Sequence, residues 1–315
     1  MTFEDKVAVP ILKPTPENVQ LAAEAILAGE LIAMPTETVY GIAADATNPK
    51  AIAKLFEIKG RPAENPLIVH ISDFVQLEDI VAEWSASADV LANRFWPGPL
   101  TMVVKKSEMI PDIVTGGLDT VAVRMPDHPV ALEVIETAGV PIAAPSANRF
   151  MQLSPTSAEN IDPAIATKLS FILDGGPCRI GLESTVVDIT QNPPRILRPG
   201  GISRGDIQAA LGIQLGEVPA NGERRSPGMY ARHYAPYGEV VLCSELEDDD
   251  FGLVLAEPKN ENQLQMPSDP ISYGARLYDY LHKLDAMGVK VIKIQLPPDT
   301  ADWEAVMDRL RKASA

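Results

Sequence analysis

Apolar and polar positions alternate with two different periods along the chain. After Thr15-Pro16-Glu17, the apolar residues Val19, Ala22, Ala23, Ile26 and Leu27 recur at helical spacing, which predicts an amphipathic helix. Thr15 suits its cap, Pro16 its first position and Gly29 its end. Short apolar runs at Leu31–Met34, Leu67–Ile71, Leu100–Val104, Val121–Met125 and Pro141–Ala144 predict buried strands. So do Phe171–Asp174, Thr185–Ile189 and Arg195–Arg198. Helical patterns fall between them at Pro49–Ile58, Ala88–Phe95, Pro129–Thr137 and Gly205–Leu211. The alternation predicts an α/β domain, and the adjacent late strands predict a mixed rather than a purely parallel sheet.

A Gly- and Pro-rich stretch from 216 to 238 interrupts the rhythm. Beyond it, strands Val240–Cys243, Gly252–Ala256 and Val289–Ile294 alternate with helices Tyr273–Met287 and Asp302–Lys312. The chain therefore divides into residues 1–210, a linker at 211–238 and a small α/β domain at 239–315. The acidic run at 245–250 reads as a solvated loop.

Composition removes several function classes. The 315 residues carry a formal charge of −16, and neither half offers a broad phosphate-neutralising surface, so a dedicated nucleic-acid binder is disfavoured. Local charge still sets a site, so a small cationic pocket remains compatible with an acidic protein. No apolar run approaches the ~20 residues of a membrane helix, and Met1–Asp5 is acidic without a secretory apolar stretch, which predicts a cytosolic location. The two cysteines, Cys178 and Cys243, form neither a disulfide scaffold nor a zinc-ligand pattern. Phosphate-loop, dinucleotide, nucleophile-elbow and zincin motifs are missing.

Polar clusters stand instead at predicted strand ends. Pro35-Thr36-Glu37-Thr38-Val39-Tyr40-Gly41 is an ordinary turn or a hydroxyl cluster at a ligand crevice. Lys59 and Arg61, beside Gly60, Pro62 and Asn65, are an anion clamp or a pair of helix-terminal cations. His70 ends an apolar strand, where a satisfied core residue is the commoner role. Arg124, inside Thr120-Val121-Ala122-Val123-Arg124, requires either a bound anion or a distant acid to offset desolvation. Ala144-Pro145-Ser146-Ala147-Asn148 and Glu183-Ser184-Thr185, with Arg198-Pro199-Gly200, complete the set. Each has a bland reading as turn chemistry or a solvated loop.

Their order and spacing are more specific than any one of them. Pro-Thr-Glu-Thr-Val-Tyr-Gly, Lys-x-Arg, Asn-Pro-Leu, Pro-Ser-Ala-Asn, Ser-Thr-Val-Val-Asp and Arg-Pro-Gly together resemble the YrdC-like threonylcarbamoyl-AMP synthases. The segment Ser226-Pro227-Gly228-Met229-Tyr230-Ala231-Arg232-His233-Tyr234-Ala235-Pro236 resembles the linker of the long, two-domain form. The resemblance implies a twisted mixed sheet with flanking helices, followed by a small Rossmann-like domain. It implies condensation of L-threonine, bicarbonate or CO2, and ATP with Mg2+ into threonylcarbamoyl-adenylate and pyrophosphate. A downstream threonylcarbamoyl transferase complex would then modify adenosine in tRNA, without stable tRNA binding by this chain.

The match carries Thr38, His70, Arg124, Ser146 and Ser184 to the threonine site. It carries Arg61, Asn65, Thr120, Asn148, Thr156, Arg198 and Tyr234 to ATP, with Lys59 and Arg61 as the catalytic Lys-x-Arg pair. No protein metal ligand is implied, and Tyr234 would lie in a lid. Where the family has a small Ser-Gly pair after Asn148, this chain has the bulkier Arg149-Phe150-Met151-Gln152-Leu153 before Ser154-Pro155-Thr156. Two other readings are an RNA-binding module built on Lys59, Arg61, Arg124 and Arg198, and a carbamoyl-transfer component of metalloenzyme maturation. The second usually needs zinc-finger cysteines that this chain lacks.

Overall fold

The computed structural model describes residues 9–218, 230 and 232–315. Its larger sheet has eleven strands: β1 (Ile11–Leu12), β2 (Ile32–Met34), β3 (Gly41–Asp45), β4 (Ile68–His70), β5 (Val81–Glu83), β6 (Leu100–Lys106), β7 (Thr120–Arg124), β8 (Ile142–Ala143), β9 (Ile172–Leu173), β10 (Thr185–Asp188) and β11 (Arg195–Arg198). Their spatial order is β1-β9-β2-β3-β8-β4-β7-β6-β10-β11, with β5 paired to β6. Pairing is parallel for β4–β7 and β6–β10 and antiparallel for β2–β3, β6–β7 and β10–β11, so the sheet is mixed as the sequence predicts.

Local chemistry fixes the flanking helices. The Thr15 side chain accepts from the Asn18 N–H and starts helix Pro16–Leu27, whose buried Val19, Ala22 and Ile26 join Val130, Ala131, Val134 and Ile135 of helix Pro129–Ala138 in one core cluster. Helix Pro49–Lys59 ends at Gly60, which adopts the left-handed φ of +60°. A side chain there would be strained, and glycine lets the chain turn sharply so that Lys59 and Arg61 face inward.

The C-terminal unit has four strands, β12 (Glu239–Cys243), β13 (Gly252–Val254), β14 (Gln263–Gln265) and β15 (Val291–Gln295). They are ordered β12-β15-β13-β14 and all parallel, which agrees with the Rossmann-like expectation. Helices Pro270–Ala286 and Glu304–Ala313 cover this sheet. Its hydrophobic cluster is not self-contained. Val39, Leu153 and Leu182 of the larger domain and Tyr234 of the linker belong to it. Much of the predicted linker, residues 219–229 and 231, lies outside the described residues.

Besides the two-residue β1, three strands escape the hydrophobic pattern. β14 is mostly polar, β3 begins with Gly and small alanines, and β5 is a three-residue edge segment. None offers the apolar run from which a buried strand is read. No helix among the described residues is long and apolar enough to cross a membrane.

Candidate active site

Strand register gathers the polar ends. His70 and Arg124 are direct partners on β4 and β7, while Ser184 immediately precedes β10. The Thr36 hydroxyl donates to the Val39 carbonyl at 2.6 Å and accepts from the Thr38 and Val39 N–H groups, each at 3.2 Å. This hydroxyl-closed turn leaves the Thr38 hydroxyl to accept from Arg124 Nη1 at 3.0 Å. Arg124 Nε donates to the Gly98 carbonyl at 3.2 Å, and Nη2 lies 2.5 Å from Glu37 Oε1. Glu37 and Arg124 are 1% and 3% exposed. The acid that Arg124 requires is thus Glu37, from the first polar motif. Burial, reinforced by the neighbouring Arg124 charge, pushes His70 down to about 3, so its imidazole is neutral.

Two further cations line the same cavity. Arg61 donates from Nε to the Asn65 carbonyl at 3.3 Å and from Nη2 to the Pro66 carbonyl at 2.7 Å. Burial brings its guanidinium down to about 10, still charged at neutral pH. Arg198 grips the Ser184 carbonyl from Nε at 3.1 Å and from Nη2 at 2.9 Å, and Nη2 also reaches the Ser184 hydroxyl at 3.1 Å. Behind them, a Cβ on Gly200 would sit 2.3 Å from the Glu183 carbonyl oxygen. Only glycine permits the Arg-Pro-Gly backbone to lie that close.

Thr38, Arg61, His70, Arg124, Ser146, Ser184, Arg198 and Tyr234 converge on one cavity of about 50 Å3, with Val39, Ile68, Glu183 and His233 also on its wall. The remaining predicted residues stand off that wall. The Lys59 ammonium donates to the Ser146 carbonyl, to the Asn148 carbonyl at 2.6 Å and to Asn148 Oδ1 at 3.3 Å. It therefore pins the Pro-Ser-Ala-Asn loop, and burial beside Arg61 lowers its pKa well below the ordinary value. Asn148 spends its amide on the Arg149 and Gln152 carbonyls, at 2.9 and 2.6 Å. Asn65 is 1% exposed with neither amide atom hydrogen-bonded. Thr120 starts β7 beside the Asn65–Pro66 turn, and Thr156 is buried where its carbonyl accepts from Cys178 N–H. Lys59, Arg61, Arg124 and Arg198 are all buried, so they supply no exposed basic face for RNA.

Residues 24–200 match the Sua5_yciO_yrdC family model, described as telomere recombination, and residues 202–315 match the threonylcarbamoyl-AMP synthase C-terminal domain. The threonylcarbamoyl-AMP synthase of Pyrococcus abyssi is 43% identical, with 94% of each chain covered. That of Bacillus subtilis is 39% identical, covering 93% of this chain and 92% of the relative. The structure of P. abyssi Sua5 complexed with L-threonine superposes with a TM-score of 0.86 at 41% identity, over 95% of this chain and 94% of that one. The chain belongs to the Sua5 family of threonylcarbamoyl-AMP synthases.

In this Sua5-family chain, the departure after Asn148 has a structural use. The Phe150 ring packs edge-on to Tyr230 at 5.2 Å and to His233 at 6.1 Å, and the Met151 carbonyl accepts from Ala235 N–H at 3.1 Å. Gln152 and Ala235 form a parallel bridge. The bulky loop is thus the platform on which the end of the linker lies.

The C-terminal domain also reaches the wall of the cavity. Glu183 accepts from Ser154 Oγ at 2.6 Å, from Tyr278 OH at 3.2 Å and from Arg309 Nε at 2.8 Å. Burial alone would raise the Glu183 carboxyl, but Arg309 and Arg198 overcome it and hold the group at about 2. Sequence reasoning missed Glu37, Glu183, His233 and Arg309 as parts of this site. Glu37 and Glu183 stand inside the polar motifs and were within reach. Arg309 lies in an ordinary charged amphipathic helix and carried no signal.

Proposed function

We propose that this chain condenses L-threonine, bicarbonate or CO2, and ATP into threonylcarbamoyl-adenylate, with release of pyrophosphate. The carrying observation is one cavity lined by Thr38, His70 and Arg124 together with Arg61 and Arg198. Arg124 suits the threonine carboxylate, with neutral His70 and Thr38 orienting the amino acid. Arg61 and Arg198 suit the phosphates, whose negative charges otherwise repel the carboxylated amine. The threonine amine attacks CO2, supplied as such or by dehydration of bicarbonate, and loses a proton to solvent water to give a carbamate. A carbamate oxygen then attacks the α-phosphorus, the bond to the bridging β-phosphate oxygen breaks, and pyrophosphate leaves. Positioning and electrostatic stabilisation supply the catalysis, with no covalent protein intermediate.

Asn65, with its unpaired buried amide, suits the nucleotide side together with Thr120, Asn148, Thr156 and Tyr234. Lys59 acts by holding the Ser146–Asn148 loop. Magnesium would arrive on the triphosphate, keeping its water, as this ion usually does. Among the described residues, no group of three His, Cys, Asp or Glu side chains is placed to cage a metal ion. The product would pass to a downstream threonylcarbamoyl transferase complex in the cytosol, which is why the chain itself needs no tRNA grip. The linker end contributes His233 and Tyr234 to the lining of the pocket, which suits a lid.

Incubation with labelled bicarbonate, threonine, ATP and Mg2+ should yield labelled threonylcarbamoyl-adenylate and threonine-dependent pyrophosphate. Folded protein that releases no threonine-dependent pyrophosphate would refute the assignment.

A further inference from the structure

We propose that Arg309, in the last helix of the C-terminal domain, is a positioning residue of the active site that keeps Arg198 free to meet the triphosphate. The inference rests on the synthase reading given above. Arg309 is separated by 126 positions from Glu183 yet contacts it at 2.8 Å. Its side chain is 0% exposed, and the guanidinium carbon lies 4.8 Å from the centre of the Tyr234 ring. Glu183 and Tyr234 both line the cavity, whereas Arg309 stands behind them.

An arginine at this place is costly. Its helix neighbours Val306, Met307, Leu310 and Ala313 are buried and apolar, and a hydrophobic residue would complete that face without desolvating a charge. The reason for the charge lies in Glu183. This carboxylate is buried immediately before Ser184, whose carbonyl and hydroxyl anchor Arg198. Arg198 thus grips the residue that follows Glu183 and lines the same cavity. Arg309 and Tyr278 donate to Glu183 Oε2 and Ser154 to Oε1, so both oxygens are occupied. Without Arg309, the strongest remaining partner of Glu183 would be Arg198. That pairing would neutralise a cation on the phosphate wall. On the threonine side, Thr38, His70 and the Glu37–Arg124 pair keep contacts of their own, and Ser184 alone is shared with Arg198.

Steady-state formation of labelled adenylate distinguishes this role from a structural one. Arg309→Met should raise the KM for ATP about tenfold or more, the scale of one lost charge-assisted contact, while the KM for threonine stays within about twofold of wild type. Loss of folded protein alone would lower the maximal rate and leave the ATP KM unchanged. Arg309→Met combined with Glu183→Gln removes the competing carboxylate and should bring the ATP KM back to within about threefold of wild type. If Arg309→Met does not fold, Arg309→Gln carries the test. It keeps polar donors but removes the charge, and the expected ATP KM is at least about threefold raised. An unchanged ATP KM in the folded variant, a parallel rise for threonine, or no recovery in the double variant would each overturn the proposal. Wild-type protein that makes no labelled adenylate would overturn the synthase reading and this inference with it.

Discussion

Mild acid should destabilise this protein through its buried histidines. His70 and His233 are 2% and 7% exposed. Burial pushes each from an ordinary value of 6.5 down to about 3, and nearby cations push the same way: Arg124 for His70, and Arg61, Lys59 and Arg198 for His233. The geometry of His233 agrees, because its Nδ1 accepts the Tyr234 N–H at 2.9 Å and so carries no proton. Below pH 6.5 the unfolded chain takes up protons that the folded chain refuses, so stability falls as pH drops. One pH unit corresponds to about 1.36 kcal/mol per group, which gives roughly 2 kcal/mol for each histidine between pH 7 and pH 5. The pair then costs about 4 kcal/mol, a large share of a total stability of about 5–15 kcal/mol. His128 and His282 are also lowered by burial and add the same sign. Glu183 does not confuse this window. Its carboxyl is held at about 2, so the stability it contributes is lost only as pH falls below the unfolded value near 4.5. Urea titration at pH 7 and pH 5 measures the difference, and a His70→Asn variant should lose close to half of the two-histidine effect. Equal unfolding free energies at the two pH values, to within about 1 kcal/mol, would refute the reasoning.

Lys59→Met should lower stability by about 2–4 kcal/mol and abolish turnover, because the Ser146 and Asn148 carbonyls lose their buried donor. A wild-type thermal midpoint would show that the ammonium does not hold the loop. Phe150→Ala removes two edge-on aromatic contacts, each contributing about 0.5–1.5 kcal/mol, and should weaken ATP use several-fold while sparing threonine affinity. Isothermal titration with each ligand checks that contrast. Cys178 is buried and its thiol is pushed up to about 12, so iodoacetamide at pH 8 should leave it unmodified in the native protein and label it in urea. Mass spectrometry of the Cys178 peptide decides the point.

The fold was legible wherever burial demanded a continuous apolar segment, as at Val121–Met125, and wherever a cap marked a boundary, as at Thr15-Pro16. It was illegible where backbone pairing alone makes a strand, as in polar Gln263–Gln265. The site was legible for a related reason. Ligand-facing groups sit at strand ends, so the polar motifs interrupt the apolar runs at regular places. What one dimension hides is partnership. Arg124 visibly needed a bound anion or an acid, but nothing local selected Glu37. Lys59 looked like an anion ligand because its type and neighbours suit one, whereas its reach is spent on two carbonyls 87 and 89 positions away. Arg309 meets its carboxylate across domains, and no helical period could announce that.

The C-terminal domain is better understood as the back of the active site than as an appendage. Val39, one residue beyond Thr38 of the cavity wall, is buried in its hydrophobic cluster, as are Leu153 and Leu182. Tyr234 adopts a left-handed φ of +60°, which costs a non-glycine residue about 1–2 kcal/mol. The ring's contacts with Arg309 and, at 5.9 Å, with Tyr278 offset that strain, and both partners come from the C-terminal domain. The linker tyrosine is therefore held against the cavity by groups that the larger domain does not own. The same two side chains hold Glu183. Glu183 and Tyr234 thus share their support, and a change that loosens one must loosen the other.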